Sequence, residues 1–167
     1  MLKFPELQKK TGNRFIADTS GEALSQVAEE GAYLLKPNLR ELSLLSEKET
    51  LDDTLIDEAA RVLIGKGKCE VIVVSMGAQG AYLVTNTIAE QVHAPTVRKL
   101  STVGAGDSMV AGMVHSLSNG KSLQEMVRMG IACGTAATMN PGTELFKMDD
   151  AEKLYKWLTR KTQKAIS

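Results

Sequence analysis

Apolar and polar residues follow one another in blocks that predict strands and helices in turn. Phe15-Ile16-Ala17-Asp18 is a short apolar run ending in an acid, and SGEALSQVAEE follows as a helical stretch with Ser20 a candidate N-cap. Tyr33-Leu34-Leu35 reads as a second strand, leading into KPNLRELSLL. Between Leu55 and Ile64 the apolar residues Leu55, Ile56, Ala59, Ala60, Leu63 and Ile64 recur at the spacing of one helix face, which Val62 widens. Glu70–Ser75 (EVIVVS) is a β-branched run of the kind expected in a parallel strand buried on both faces.

After Gly77 the texture changes. AYLVT and AEQVHA, separated by a link containing Asn86-Thr87, read as an antiparallel hairpin at the sheet edge, and Thr96–Leu100 as a further extended piece. Gly104–Gly106 punctuates the chain before a helix over Asp107–Leu117, closed by Ser118-Asn119-Gly120. Ser122–Thr138 reads as a second helix and Asp149–Thr162 as a third, opened by an acidic pair suited to a positive helix end. The alternation predicts an α/β fold in layers, a mostly parallel sheet with helices packed on it. No repeat, low-complexity tract or linker interrupts it, and the residues before Phe15 carry no strand pattern.

The 167 residues suit one ordinary domain with a sizeable core. Lys+Arg and Asp+Glu both number 20, which removes any global electrostatic attraction to nucleic acid or membrane. Aromatics at 4% also argue against base-stacking platforms. Cys69 and Cys133 belong to no metal-type cluster and read as buried thiols of a reduced, cytoplasmic protein. The stretch MLKFPELQKKTGNRF has no apolar core or cleavage site of a signal peptide, and no run reaches bilayer-spanning length.

Three short segments carry candidate chemistry. In STVGAGDSMVAGMVHSL a strand-like piece ends, Gly104, Ala105 and Gly106 follow, and a helix starts at once. Small residues there let the backbone approach a ligand, and their N–H groups sit at the positive helix end, where an anion binds. Asp107, in the first turn, can take a proton from a hydroxyl attacking a phosphate held by those donors. The same residues also fit a plain glycine-rich turn capped by Asp107. The segment is neither a Walker A loop nor a dinucleotide-binding fingerprint. In Lys36-Pro37-Asn38 with Glu41, Asn38 and Glu41 share a helix's first turn, where an amide and a carboxylate could hold hydrated Mg²⁺ on nucleotide phosphates. Taken alone, they fit an N-cap with a capping box better still. Ser75-Met76-Gly77-Ala78-Gln79-Gly80 lies at the carboxyl end of the most hydrophobic strand, where a turn can admit a nucleotide or simply lead into a hairpin.

KPNxxE at Lys36–Glu41, VSMGAQG at Val74–Gly80 and TVGAGD at Thr102–Asp107, in this order and spacing, resemble the ribokinase/PfkB carbohydrate kinases. SGEAL after Asp18, STVGAGDSMVAG and GTAATMNPGT at Gly134–Thr143 are similar to its phosphofructokinase-like branch, which includes fructose-phosphate and tagatose-6-phosphate kinases. The resemblance implies a ribokinase-like three-layer α/β sandwich and ATP-dependent phosphoryl transfer to a sugar-phosphate hydroxyl. By position, Asp107 matches the catalytic base and Gly104, Ala105 and Gly106 the anion hole. Lys36, Asn38 and Glu41 match residues around the ATP phosphates and Mg²⁺. Ser75, Met76, Gly77, Ala78, Gln79 and Gly80 match a nucleotide-binding turn, Thr102 belongs to the key motif, and Thr135 lies in a wall of the adenine pocket. Ser101, Val103, Ala137, Asn140 and Gly142 fall where some members hold a monovalent cation such as K⁺. Glu144 departs from the basic or small residue of that cation loop. Ser101-Thr102 stands where many ribokinase relatives have Asp-Thr.

The resemblance further implies that residues 1–167 correspond to the C-terminal, nucleotide-binding and catalytic half of such a domain. The early strands, the β-lid and most sugar-binding residues have no counterpart, and Met1 falls inside the complete fold. From this we expect a homo-oligomer, or dependence on the missing N-terminal half. The alternative expectation is a catalytically silent nucleotide-binding or oligomerising remnant lacking the sugar site. Outside these motifs, His93 and His115 read as surface or packing residues and Met109, Met113, Met126 and Met129 as core filler. KLYKWLTRKTQK reads as a solvated helix face, with Trp157 packing that helix onto the body.

Overall fold

The computed structural model describes residues 4–48 and 55–166. The element order is α1 (Phe4–Thr11), β1 (Ile16–Ala17), α2 (Gly21–Glu30), β2 (Ala32–Leu35), α3 (Leu39–Leu45), α4 (Ile56–Gly65), β3 (Cys69–Ser75), β4 (Ala81–Val84), β5 (Ala89–Val92), α5 (Ala105–Ser118), α6 (Leu123–Thr138) and α7 (Met148–Ile166). The chain divides into two compact units. One is built on residues up to Gly77 together with Tyr82–Gln91, the other on Ala78–Ala81 and the chain from Val92 onward.

The strands form one five-stranded sheet in the order β1-β2-β3-β4-β5. β1 and β2 pair in parallel with Ile16 opposite Leu34 and Ala17 opposite Leu35. β2 and β3 also run parallel, with Leu34 opposite Val71 and Leu35 opposite Ile72. The links from β3 to β4 and from β4 to β5 are too short for a crossover, so those neighbours run antiparallel. The sheet is therefore mixed, with the hairpin at its edge as the sequence predicts. Val71, Ile72, Val73 and Val74 are all buried, as expected of a strand covered on both faces. The hydrophobic contribution of each such side chain is about 1.5–3 kcal/mol.

α2 turns Leu24 and Ala28 inward, and α4 turns Ile56, Ala59, Ala60, Leu63 and Ile64 inward. Val62 lies on the exposed side of α4 instead of widening its buried face. Arg61 on α4 ties down the hairpin: its Nη1 donates to the carbonyls of Thr85 and Asn86 at 3.0 and 2.8 Å, while Nε donates to Asp57. No apolar periodicity marks α1; it carries an acid in the first turn and Gly12 with φ 71 just after its end. Ser20 occupies the N-cap of α2 without a side-chain hydrogen bond. Thr96–Leu100 runs on from β5 but joins no strand ladder. The amides of Leu100 and Ser101 bond instead to the Thr138 carbonyl at the end of α6.

In the second unit α5 and α6 form an antiparallel-type helical pair around Met109, Met113, Met126 and Val127, all buried. α6 starts on a capping box in which Ser122 and Glu125 bond reciprocally. The Ser122 backbone N–H, then its hydroxyl, hold the Glu125 carboxyl below its ordinary range. α7 packs against α6 through Ala151 and Leu154, with Phe146 of the preceding loop beside them, on Cys133 and Ala136. Trp157 is exposed, with the Lys161 ammonium 5.0 Å from its ring centre, so Leu158 rather than Trp157 seats the helix. Among the described residues no helix is long and apolar enough to cross a membrane.

Both cysteines are buried and unbridged. Burial pushes the Cys69 thiol up to about 12, with Glu70 adding to the shift, and the Cys133 thiol up to about 11, both from 9.0. The folded chain therefore holds these protons more tightly than the unfolded chain. The associated stability is intact below pH 9.0 and is lost as the pH rises toward 11–12. At pH 8 we expect an aromatic disulfide reagent to react about 100-fold more slowly with native than with urea-unfolded chain. Equal rates on a folded sample would contradict buried thiols.

Candidate active site

In the first unit the carboxyl ends of β1, β2 and β3 gather one group of the expected residues. The Lys36 amide donates to the Ala17 carbonyl at 3.2 Å, and the Ser75 amide to the Pro37 carbonyl at 2.9 Å. Asn38 and Ser75 form an isolated parallel bridge beyond the strands proper. Pro37, which has no amide hydrogen, ends the regular ladder and releases Asn38 to start α3. Lys36 is 7% exposed and its Nζ lies 3.0 Å from Asp18 Oδ1, on a carboxylate that is 29% exposed.

Asn38 and Glu41 form the capping box that their types allow. Asn38 Oδ1 accepts from the Glu41 amide at 2.9 Å, and Glu41 Oε2 accepts from the Asn38 amide at 2.8 Å. The local structural role is thus realised, and it leaves Glu41 Oε1 outside the box. The carboxylate keeps an oxygen to offer a hard cation such as Mg²⁺ while the cap stays intact.

The turn after β3 begins with a buried Met76 and a short 3-10 turn over Gly77–Gln79. Gly77 has φ 56 and open space around the position of a Cβ, so the turn conformation alone calls for glycine there. Gly80 is different. A Cβ on it would stand 2.0 Å from the Val92 carbonyl oxygen and 2.7 Å from the Ala94 nitrogen. Its identity is set by backbone packing within the second unit, before any ligand is considered.

The second unit carries the Gly104–Asp107 turn. Gly104 is the N-cap of α5 in the left-handed conformation, φ 73, with no side-chain cap. The Ala105 amide reaches the Thr102 carbonyl at 3.4 Å, and the Ser108 amide starts the helical ladder at the Gly104 carbonyl. By helix geometry the Gly106 and Asp107 amides have no acceptor in the ladder and point out of the helix end. Asp107 is exposed as the third residue of α5, beside those donors.

Two neighbours hold this turn. A Cβ on Gly134 of α6 would lie 2.9 Å from the Ala105 carbonyl oxygen, and one on Gly104 would lie 3.0 Å from Leu145 Cδ2. Ser101 Oγ donates to the Gly142 carbonyl at 2.7 Å and accepts from the Val103 amide at 3.2 Å. Buried Asn140 donates through Nδ2 to the Ala136 and Leu145 carbonyls at 3.3 and 2.9 Å. Of the loop residues expected around a monovalent cation, Ser101, Val103 and Gly142 are joined by hydrogen bonds, Asn140 bonds separately to Ala136 and Leu145, and Ala137 is buried in α6. Thr135 is half-buried on α6, and Thr102 and Glu144 are exposed. Among the described residues no group of three or more His, Cys, Asp or Glu could hold a metal on its own. A cation here would lean on phosphate or backbone oxygens.

Asp18 and the glycines of the α5–α6 contact are site-supporting residues that motif reading passed over. Gly130 and Gly134, four apart on α6, are the signal that could have found the second group.

The chain matches the model of the pfkB family carbohydrate kinases over residues 3–150. It is 46% identical over 153 residues to the ATP-dependent 6-phosphofructokinase isozyme 2 of Escherichia coli K12, covering 91% of this chain and 50% of that protein. It is 33% identical to the 1-phosphofructokinase of Borreliella burgdorferi, covering 84% of this chain and 45% of that one. The crystal structure of Escherichia coli phosphofructokinase-2 in complex with potassium superposes with a TM-score of 0.85 at 46% identity, over 90% of this chain and 49% of the other. The chain belongs to the pfkB family of carbohydrate kinases, and its fold is ribokinase-like α/β. It spans about half the length of the curated relatives it matches.

The capping box gives a direct test of how Glu41 divides its work. Glu41→Gln preserves the box and should leave the melting temperature within about 2 °C, whereas Glu41→Ala should cost about 0.5–2 kcal/mol in urea unfolding. Equal loss in both variants would contradict a cap that uses hydrogen bonding rather than charge.

Proposed function

We propose that this chain is the nucleotide-binding and catalytic half of an ATP-dependent sugar-phosphate kinase of the phosphofructokinase or tagatose-6-phosphate kinase type. One observation carries the reading: a left-handed Gly104 opens α5 so that free amides and the Asp107 carboxylate occupy the same helical turn. Donors that fit an anion lie next to a base that fits a hydroxyl.

In this mechanism Asp107 takes the proton of the attacking sugar hydroxyl as its oxygen bonds to the γ-phosphorus and the bond to the ADP oxygen breaks. The amides of Gly104 and Gly106 would face the negative charge that develops on the transferring group, joined by that of Ala105 on release of its long 3.4 Å bond to the Thr102 carbonyl. Lys36 meets the nucleotide phosphates. Mg²⁺ bound with the nucleotide would supply further charge neutralisation, with Asn38 and Glu41 the residues to hold it. Ser75–Gly80 and Thr135 serve the nucleoside side. Ser101, Val103, Ala137, Asn140 and Gly142 are the residues to hold K⁺, which would stiffen the loop entering the turn. Val103 and Leu145, exposed beside Gly104, support a reading in which further protein surface covers the turn. That surface would come from another copy or from a sugar-binding half such as relatives carry.

A coupled assay with MgATP and fructose 6-phosphate, fructose 1-phosphate or tagatose 6-phosphate tests the proposal. Asp107→Asn should lower transfer about 10²–10⁴-fold while MgATP affinity stays within about threefold. Turnover equal in wild type and Asp107→Asn would contradict Asp107 as base. Nucleotide binding with no transfer in either would be the behaviour of a silent remnant.

A further inference from the structure

The first unit holds a buried charge whose setting points beyond the motif itself. Lys36 follows directly on β2, and its side chain is almost fully buried. An ammonium in such a place is costly to keep charged without an anion beside it. The parallel register supplies one. With Ile16 opposite Leu34 and Ala17 opposite Leu35, the next step along both strands sets Asp18 beside Lys36. The Lys36 amide bonds to the Ala17 carbonyl at 3.2 Å, which locks that step, and Nζ then lies 3.0 Å from Asp18 Oδ1.

The two partners differ in exposure. The lysine is 7% exposed and the aspartate 29%, so the pair runs from the interior toward solvent at the carboxyl ends of the strands. An ammonium has three donors, and this ion pair engages one direction. A lysine's long stem samples many rotamers when free, and a fixed carboxylate removes most of that freedom before a ligand arrives.

We propose that Asp18 is a positioning residue, which fixes the Lys36 ammonium at the carboxyl ends of β1 and β2 in readiness for a nucleotide's phosphate oxygens. The assignment rests on the reading of Lys36 as a phosphate-binding group, and Asp18 itself touches no nucleotide in it. Its carboxylate would repel phosphate directly, so its benefit to binding must pass through the lysine. That requirement makes the effect of Asp18 conditional on Lys36.

Calorimetric titration of the full chain with MgATP tests this, using wild type, Asp18→Asn, Asp18→Glu, Lys36→Met and the double variant Asp18→Asn/Lys36→Met, each checked for folding by circular dichroism. The expected result is about a tenfold loss of affinity in Asp18→Asn and in Lys36→Met, with the double variant no weaker than Lys36→Met. Asp18→Glu should restore binding to within about threefold of wild type, a rescue that a purely packing role would not give because the longer side chain fits the site less well. If Lys36→Met weakens binding while Asp18→Asn does not, the positioning role is overturned and the nucleotide reading stands. Losses that add in the double variant would overturn it too, since Asp18 would then act independently of the lysine. If wild type binds no MgATP, or Lys36→Met binds as wild type, the phosphate reading of Lys36 fails and the assignment fails with it. Should Asp18→Asn not fold, Asp18→Glu decides the matter: binding near wild type supports the role, and a loss equal to that of Lys36→Met overturns it.

Discussion

The close approach of α5 to α6 is the constraint on which the Gly104–Asp107 turn depends. A Cβ on Gly112 would stand 2.8 Å from the Met129 carbonyl oxygen, and one on Gly130 would stand 3.0 Å from the Met109 carbonyl oxygen. With Gly134 against Ala105, contacts of this kind recur along α5 from Ala105 to Met113. Helices that meet backbone to backbone have little freedom to slide, because any shift drives main-chain atoms together. The first turn of α5 is therefore held by rigid neighbours. The amides that leave it unbonded are fixed in direction before any anion arrives, and preorganised donors of that sort give electrostatic catalysis its strength.

The first unit works on a different principle. There the parallel ladder sets positions by register: each strand carries its neighbour's terminal residues to the same level. Lys36 comes to Asp18, and Asn38 comes to Ser75. Pro37 and the capping box then turn the chain from strand into helix within a few residues. Polar groups thus collect at the carboxyl strand ends, where an open α/β sheet binds ligands. The fold needs the capping box for its own sake, and the metal-holding use proposed for Glu41 would be layered on a residue that local structure already requires.

Much of this was legible in the sequence. The runs EVIVVS and Tyr33-Leu34-Leu35, the Asn38–Glu41 spacing and the glycines of GAGD each announce a local geometry, and each is found. What escaped was set by contacts between distant residues. α1 has too few apolar residues to show a face. Trp157 looked like an anchor because of its size, yet α7 seats Ala151, Leu154 and Leu158 instead. Gly80 matched a ligand turn by motif, while the strand-end backbone at Val92–Ala94 accounts for it by packing. Asp18 was visible only as an acid at the end of an apolar run, since its partner is eighteen residues away and is brought to it by sheet register. Family membership follows from the joint pattern, because no single segment excludes a plain cap or turn.

The central claim is that the start of α5 is an anion site shared with a base. Titrating ¹⁵N-labelled chain with MgATP and following backbone amide resonances measures it most directly. Saturable shifts of Gly104, Ala105, Gly106 and Asp107, larger than those along the rest of α5, are the predicted result. A chain that binds MgATP while those four amides stay unmoved would contradict it.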